Sequence, residues 1–401
     1  MTIFSYFEDM KSTVCLLLIV ICCIQCNKSE NKPASTIPVL TSNILTLNEG
    51  NAGATSFEFI FNLNTAPVST VTVNVKSENG FAKSGLDYTA VDQQIVFQAG
   101  ETQKKLTVQV VADDLREGDD DFSLVLSNPV GCTLSGDRYK GLITNDDIKV
   151  DVGDAGFSTP ASYPGKTLVW SDEFNASALN LADWNYETGD GCPNCGWGNN
   201  ELEYYTPGDN LSLQSGKLII EARKYNFGGK DYTSSRITTK NKQFFKFGRV
   251  DIRARVPEGQ GIWPALWMMP QENKYGGWPS SGEIDIMELL GHEPNKVYST
   301  VHYGPGPGSR NISRNTISPA SLSNEFHVYS MIWEQDKVQF LLDNVVFSTV
   351  NKSDLAGNTY PFNETFFFIF NQAVGGTWPG SPNTTTYFPQ WLAVDYVRVF
   401  Q

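Results

Sequence analysis

Apolar and polar residues alternate with a period of two along most of the chain. Thr70-Val71-Thr72-Val73-Asn74-Val75, Lys105-Leu106-Thr107-Val108-Gln109-Val110 and Phe122-Ser123-Leu124-Val125-Leu126 show it. Successive strand side chains point to opposite faces, so each run reads as a half-buried strand. Gly85, Gly100 and Gly118 separate the runs as turn residues. Residues 39–147 are therefore predicted to form a small β-sandwich of the immunoglobulin-like type. Residues 148–166 hold Gly153, Gly156, Pro160, Pro164 and Gly165 with few apolar groups, and read as a linker. Strand runs resume beyond it. Examples are Lys217-Leu218-Ile219-Ile220-Glu221-Ala222, Arg249 to Arg255, Val338 to Leu342 and Val394 to Phe400. Helical periodicity is nearly absent there. The span 167–401 suits a large two-sheet sandwich of the jelly-roll type, so the fold class is all-β.

The beginning of the chain follows another pattern. Lys11 precedes an eleven-residue apolar run, Val14 to Ile24. It is too short to cross a bilayer and suits the core of a signal peptide, with Met10 as a candidate start. The run closes on Cys26, and residues 27–38 form a polar tether with Pro33 and Pro38. Two readings stand. In one, Cys26 is lipidated and attaches the protein to a bacterial cell-surface or outer membrane. In the other, residues 1–26 are removed and a soluble protein is secreted.

The length of 401 residues accommodates two cores. A formal net charge of −14 repels a phosphate backbone, which argues against nucleic acid as a partner and tolerates an uncharged sugar polymer. Beyond the leader the cysteines are Cys132, Cys192 and Cys195. Cys192-Pro193-Asn194-Cys195 has no second pair to complete a zinc site, so a local disulfide in an oxidising compartment is expected.

Three acids fall within six residues in Glu283-Ile284-Asp285-Ile286-Met287-Glu288. Glycoside cleavage needs one carboxylic acid to protonate the leaving oxygen and one carboxylate opposite it, about 5–5.5 Å apart in retaining enzymes. Glu283 and Asp285 share a strand face, but strict alternation puts Glu288 on the other. An extra residue restores it to the same side, which predicts a β-bulge near Ile286-Met287. The competing reading is an exposed acidic edge strand, but the apolar residues between the acids mark a buried one. Asp285 between two glutamates can share a proton or hydrogen bond and separate their pKa values. Nine tryptophans, among them Trp197, Trp263, Trp267, Trp278 and Trp378, divide between core packing and sugar stacking.

Trp278-Pro279-Ser280-Ser281-Gly282 followed by the acid run resembles the active-site signature of glycoside hydrolase family 16. Further landmarks match in order: Trp170 to Phe174, Trp197 to Thr206, Ser235-Arg236-Ile237, Gly261 to Trp267, Val301 to Gly304, Ala373 to Gly376 and Asp395 to Val399. The resemblance implies a concanavalin-like jelly roll with a concave cleft and a retaining, endo-acting mechanism. By it, Glu283 is the nucleophile, Glu288 the acid/base and Asp285 the assisting acid. Asn200, Arg236, Trp263, Trp278 and His302 are expected to line the cleft. Glu203 stands where glutamine is frequent, which questions one substrate contact. The set is most similar to laminarinases, implying a β-1,3-glucan or mixed β-1,3/1,4-glucan partner. No cofactor for catalysis and a monomeric state are expected. A galactan hydrolase of the same family and a non-catalytic glucan-binding surface protein are the alternatives. The family also implies a structural calcium, whose matching positions are Glu173, the Gly216 carbonyl and Asp395. For the two acids, a capped turn and an ion pair are the equal alternative.

Leu86-Asp87-Tyr88-Thr89, Asp113-Asp114-Leu115-Arg116-Glu117-Gly118 and Asn145-Asp146-Asp147 resemble a Calx-beta domain. That resemblance implies calcium held by oxygen ligands, with Glu49, Asp87, Asp114 and Asp146 as candidates, and an adhesion or spacer role. A solvated acidic surface is the alternative reading. Asp120 stands where glutamate is more usual.

Overall fold

A computed structural model describes residues 36–305 and 310–401, so the leader, Cys26 and most of the tether lie outside the described residues. Both predicted sandwiches are present. In the smaller, a four-stranded sheet in the order Gln103–Ala112, Gly53–Leu63, Val39–Ser42, Thr133–Leu134 faces a five-stranded one. The latter runs Leu45–Asn48, Arg138–Thr144, Asp120–Val130, Val71–Asn79, Asp92–Phe97. Phe57, Phe59, Phe61 and Leu63 alternate inward and meet Val71, Val73, Val75, Phe122 and Leu124. Burying each such side chain contributes about 1.5–3 kcal/mol, which fixes the register because a one-residue slip would expose the whole set.

The larger sandwich has two eight-stranded sheets. The front sheet runs Asn185–Tyr186, Arg236–Thr238, Phe366–Val374, Ile262–Pro270, Glu283–Leu289, Lys296–Tyr303, Arg310–Ile317, with Phe244–Phe245 beside Phe366–Val374. The back sheet is centred on Gln390–Phe400 and Gly248–Arg255. Leu266, Met268, Ile284, Val301, Phe368 and Phe370 of the front sheet meet Val250, Ile252, Met331, Val394 and Val397 of the back sheet in one core. Opposite residues of the front sheet therefore face outward over a concave surface.

The segment 148–166 is docked on the back of the larger sandwich. Val150 is buried with Ile219, Phe326 and Ala393. Arg253 donates to the carbonyls of Phe157 and Asp154, and the Thr159 backbone donates to the Tyr396 hydroxyl. Glycine and proline composition marks irregular backbone, but here that backbone finds its partners on the sheet.

Candidate active site

The strand Glu283–Leu289 lies in the middle of the front sheet. Against Ile262–Pro270, Met287 pairs with Leu266 and Asp285 with Trp267, leaving Ile286 without a partner. The register against Lys296–Tyr303 shifts in the same place, between Asp285 and Glu288. This is the expected bulge. Ile286 and Met287 both enter the core, so Glu288 turns back to the face carrying Glu283 and Asp285. Two buried apolar side chains at about 1.5–3 kcal/mol each oppose any return to strict alternation. The Ser299 hydroxyl donates to the Ile286 carbonyl at 2.7 Å and satisfies backbone that the bulge removes from the ladder.

All three acids line a cleft of about 730 Å³. Trp263, Ala265, Trp267 and Met269 alternate along the neighbouring strand into the same cleft. Even spacing thus makes Trp263 and Trp267 cleft residues. Trp197, Arg236, Trp278, His302 and Trp378 complete much of the wall. Trp278 is 54% and Trp378 41% exposed, and such large rings left open beside acids fit the apolar faces of a sugar.

Each glutamate has its own donor. Trp278 Nε1 donates to Glu283 Oε2 at 2.8 Å, and Trp263 Nε1 donates to Glu288 Oε1 at 3.2 Å. Thr300 Oγ1 lies 3.5 Å from Glu288 Oε2. Burial pushes the Glu283 carboxyl up to about 7, opposed by the Trp278 hydrogen bond and the Arg236 charge. Burial and the charge of Glu283 push Glu288 to about 8. Asp285 is raised well above the carboxylate range by burial and by both glutamates. Its Oδ2 is buried without a hydrogen-bond partner, which suits an oxygen that carries a proton. His302 Nε2 sits 3.5 Å from Asp285 Oδ2 and 3.6 Å from Glu283 Oε1, and burial lowers its pKa to about 4. The imidazole is neutral at neutral pH, so it does not discharge the acids. A buried trio with fewer charges than carboxyl groups separates proton donor from carboxylate.

Arg236 is fixed by Glu187 at 2.5 Å and stacks over Trp197 and Trp267, with centroid distances of 4.5 and 5.0 Å. Two expectations change. Asn200 is not part of the cleft wall: its amide donates to Thr377 Oγ1 at 2.9 Å, and Asn199 occupies the wall instead. Asn200 adopts φ 61°, in the left-handed region, and its side chain is tied to Thr377. Glu203 is fully buried beneath the cleft and accepts the Val374 N–H at 2.6 Å, while Glu201 faces the cleft. Sequence reasoning also missed Asn194, Thr300, Asn311 and Ser313 in the wall. Thr300 pairs with Asp285 across strands, a relation no local motif contains. Cys192 and Cys195 form the expected disulfide beside Asn194.

Residues 194–396 match the family model for glycosyl hydrolases family 16. The chain belongs to this family. Residues 49–147 match the Calx-beta domain. Glucan endo-1,3-beta-glucosidase A1 of Niallia circulans is 40% identical over 269 residues, 61% of this chain and 39% of that protein. The beta-glucanase of Rhodothermus marinus is 39% identical over 252 residues, 59% of this chain and 86% of its own. The laminarinase catalytic domain of Thermotoga maritima superposes with a TM-score of 0.57 at 43% identity, over 59% of this chain and 98% of that one.

The calcium candidates of this glycoside hydrolase divide sharply. In the larger sandwich, Glu173 forms a two-pronged ion pair with Arg398 at 2.8 and 2.7 Å. Asp395 pairs with Arg253 at 2.8 Å. Both carboxylates already have cationic partners. The two side chains thus show the ion pairs that were the alternative to a metal site.

The smaller sandwich differs. Glu49, Asp87, Asp113, Glu117 and Asp120 line a pocket of about 270 Å³, and ligand oxygens of Glu49, Asp146 and Asp147 lie within 4.8 Å of one another. Glu49 is 4%, Asp120 7% and Asp147 7% exposed, and each has a buried oxygen with no hydrogen-bond partner. Burial and neighbouring acids raise Glu49 to about 8 and Asp120 to about 7. Glu49 belongs both to this pocket and to the group with Asp146 and Asp147, and clustered carboxylates with orphaned oxygens are the donor set of a hard divalent cation, so these residues fit calcium. Asp114 is the exception. It is exposed and bound to Lys149 at 2.9 Å, and Asp113 takes the inward place. Asp113 and Asp114 lie just past the strand Gln103–Ala112, and the ion pair with Lys149 holds Asp114 outward.

Proposed function

We propose that the protein is an endo-acting hydrolase of β-1,3-glucan, or of mixed β-1,3/1,4-glucan, working by double displacement with retention. The observation that carries this reading is the bulged strand that turns Glu283, Asp285 and Glu288 into one tryptophan-lined cleft. The relatives named as glucan endo-1,3-beta-glucosidase and laminarinase support the linkage.

Glu283 is the nucleophile. The Trp278 hydrogen bond and Arg236 favour its ionised form against the cost of burial. Glu288 is the acid that protonates the leaving oxygen, and after departure it takes the proton of the incoming water. Protonated Asp285 assists by limiting the negative charge beside Glu283. Arg236 and the rings of Trp263, Trp278 and Trp378 position the sugars. Glu49, Asp87, Asp113, Glu117 and Asp120, with Asp146 and Asp147 beside Glu49, would hold a calcium ion in the smaller domain, where it would offset clustered negative charge.

The test is incubation of the purified protein with laminarin, lichenan, agarose and carrageenan, with products followed by size and by NMR of the newborn anomeric centre. Short β-1,3-linked oligosaccharides released first as the β-anomer are expected. Cleavage of the galactans alone would overturn the substrate, and release of the α-anomer would overturn the mechanism.

A further inference from the structure

The loop that supplies the cation pocket is also the surface on which the two domains meet. Within Asp113–Asp120, the side chains of Asp113, Glu117 and Asp120 line the pocket. Arg116 and Gly118 of the same loop face the catalytic domain. Arg116 Nε donates to Glu221 Oε1 at 2.7 Å across the seam, while its Nη1 donates to the Asp147 carbonyl at 3.1 Å. Glu221 is 5% exposed, so this ion pair is shielded from solvent. The Gly118 N–H donates to the Tyr387 hydroxyl at 2.8 Å. A Cβ at Gly118 would lie 2.0 Å from the Phe388 carbonyl oxygen, so only glycine permits this approach. Phe81 packs on the Tyr387 ring with centroids 5.9 Å apart.

Without a cation, pocket acids repel one another within this loop. Glu49 and Asp120 both line the pocket, and each has a buried, unpartnered oxygen. A divalent cation that draws the carboxylates together fixes the backbone between them, and that backbone carries Arg116 and Gly118. We propose that cation binding in the smaller domain is thermodynamically linked to its docking on the catalytic domain, through Arg116–Glu221 and Gly118–Tyr387. The proposal rests on the calcium reading given above. Linkage is reciprocal: whatever the cation adds to docking, docking adds to cation affinity. The catalytic domain thereby gains stability from an ion to which it supplies no ligand. Hydrogen bonds lead on from the segment of Tyr387 toward the cleft. Thr386 Oγ1 donates to the Gln260 carbonyl at 2.8 Å, and Gln260 Nε2 donates to the Pro379 carbonyl at 2.6 Å, next to Trp378.

The distribution of tryptophan supplies a selective readout. All nine lie between Trp170 and Trp391, and none lies in 39–147. Tryptophan fluorescence therefore reports unfolding of the catalytic domain alone. The full chain is melted with this probe in calcium chloride and in EGTA, and calcium chloride is titrated calorimetrically in parallel. At a hundredfold excess over Kd, the tryptophan transition is expected to rise by about 5 °C. Asp120→Asn, and separately Glu49→Gln, should abolish both the binding heat and the shift. Tyr387→Phe combined with Arg116→Met should keep calcium binding, weakened, while the shift of the tryptophan transition is largely lost. Binding without any shift in the unmodified protein overturns the linkage and leaves the calcium reading intact. A shift that survives undiminished in both pocket variants overturns it as well, by locating the ion elsewhere. Absence of binding heat removes the calcium reading and the linkage with it.

Discussion

The molecule contains two clusters of buried acids, and they are built for different partners. In the cleft, Glu283 and Glu288 each receive an indole N–H, and a neutral imidazole stands beside Glu283 and Asp285. In the smaller domain, Glu49, Asp120 and Asp147 each keep an oxygen that no donor reaches. The first site is wide and walled by rings, whereas the second is small and walled largely by carboxylates. Both pay for desolvation, because an ionised carboxylate buried without compensation is expensive. The cleft limits that cost with protons and placed donors, leaving a set of acids at different protonation states. The pocket leaves oxygens of Glu49 and Asp120 unpartnered. The environment of the oxygens, more than the number of acids, decides which chemistry follows.

The comparison breaks most visibly at Glu283. Glu283→Gln should lower kcat by more than about 10³-fold, since the covalent route loses its nucleophile. Near-normal turnover on laminarin would remove Glu283 from that role. The same change should stabilise the fold at neutral pH and above. The folded pKa of Glu283 is raised from 4.5 to about 7, so its stability contribution is complete below 4.5 and is lost as pH rises through 7. Glutamine avoids that loss, on the order of 3 kcal/mol at full ionisation. Denaturant melts at pH 5 and pH 8.5 should show the variant gaining on the unmodified protein only at the higher pH.

Glu288→Gln should cost about 10²–10⁴-fold in kcat on glucan. On an aryl glucoside whose leaving group needs no proton, bond cleavage should recover much of the loss. Equal losses on both substrates would argue against the acid role. A smaller effect is expected at Trp278→Phe. It removes the hydrogen bond that favours ionised Glu283, so the acidic limb of the kcat/KM profile should move to higher pH. In the unmodified protein the limbs should fall near 7 and 8, as properties of the coupled acids jointly. An unmoved limb would show that the indole N–H does not tune the nucleophile. The smallest effect sharpens the second cluster: Asp114→Asn should leave calcium affinity unchanged, because Asp114 is held by Lys149 outside the pocket. A tenfold loss measured by titration would return Asp114 to the ligand set.

Much of this was legible in the sequence because strands write their facing into every second residue. Val71, Val73 and Val75 announced a buried face, and Phe57 to Leu63 answer it across the core. Glu288 was legible by contradiction: three acids had to share one face and simple alternation forbade it, which specified the bulge. The errors fall where facing depends on something outside the strand. Asn200 is bound by Thr377, 177 residues away, and Asn199 lines the wall. Asp114 and Asp113 are equivalent in composition, and Lys149, thirty-five residues away, captured one of them. Glu173 and Asp395 stand at positions that suggested an ion, but Arg398 and Arg253 supply positive charge already bound to the chain. The segment 148–166 had the composition of an interdomain linker, and sequence does not reveal that the Tyr396 hydroxyl and the Arg253 guanidinium await its backbone.

By itself, then, the sequence determined the two β-sandwiches, the acid run and the indole-rich surroundings, since all of these follow from periodicity and local spacing. Only the tertiary structure decided which acids face a partner and which are already satisfied. It also decided that the loop of Glu117 and Gly118 lines an acidic pocket and an interdomain seam at once. The physical reason is that a carboxylate's role is set by whatever lies within hydrogen-bonding reach, and those neighbours come from distant parts of the chain.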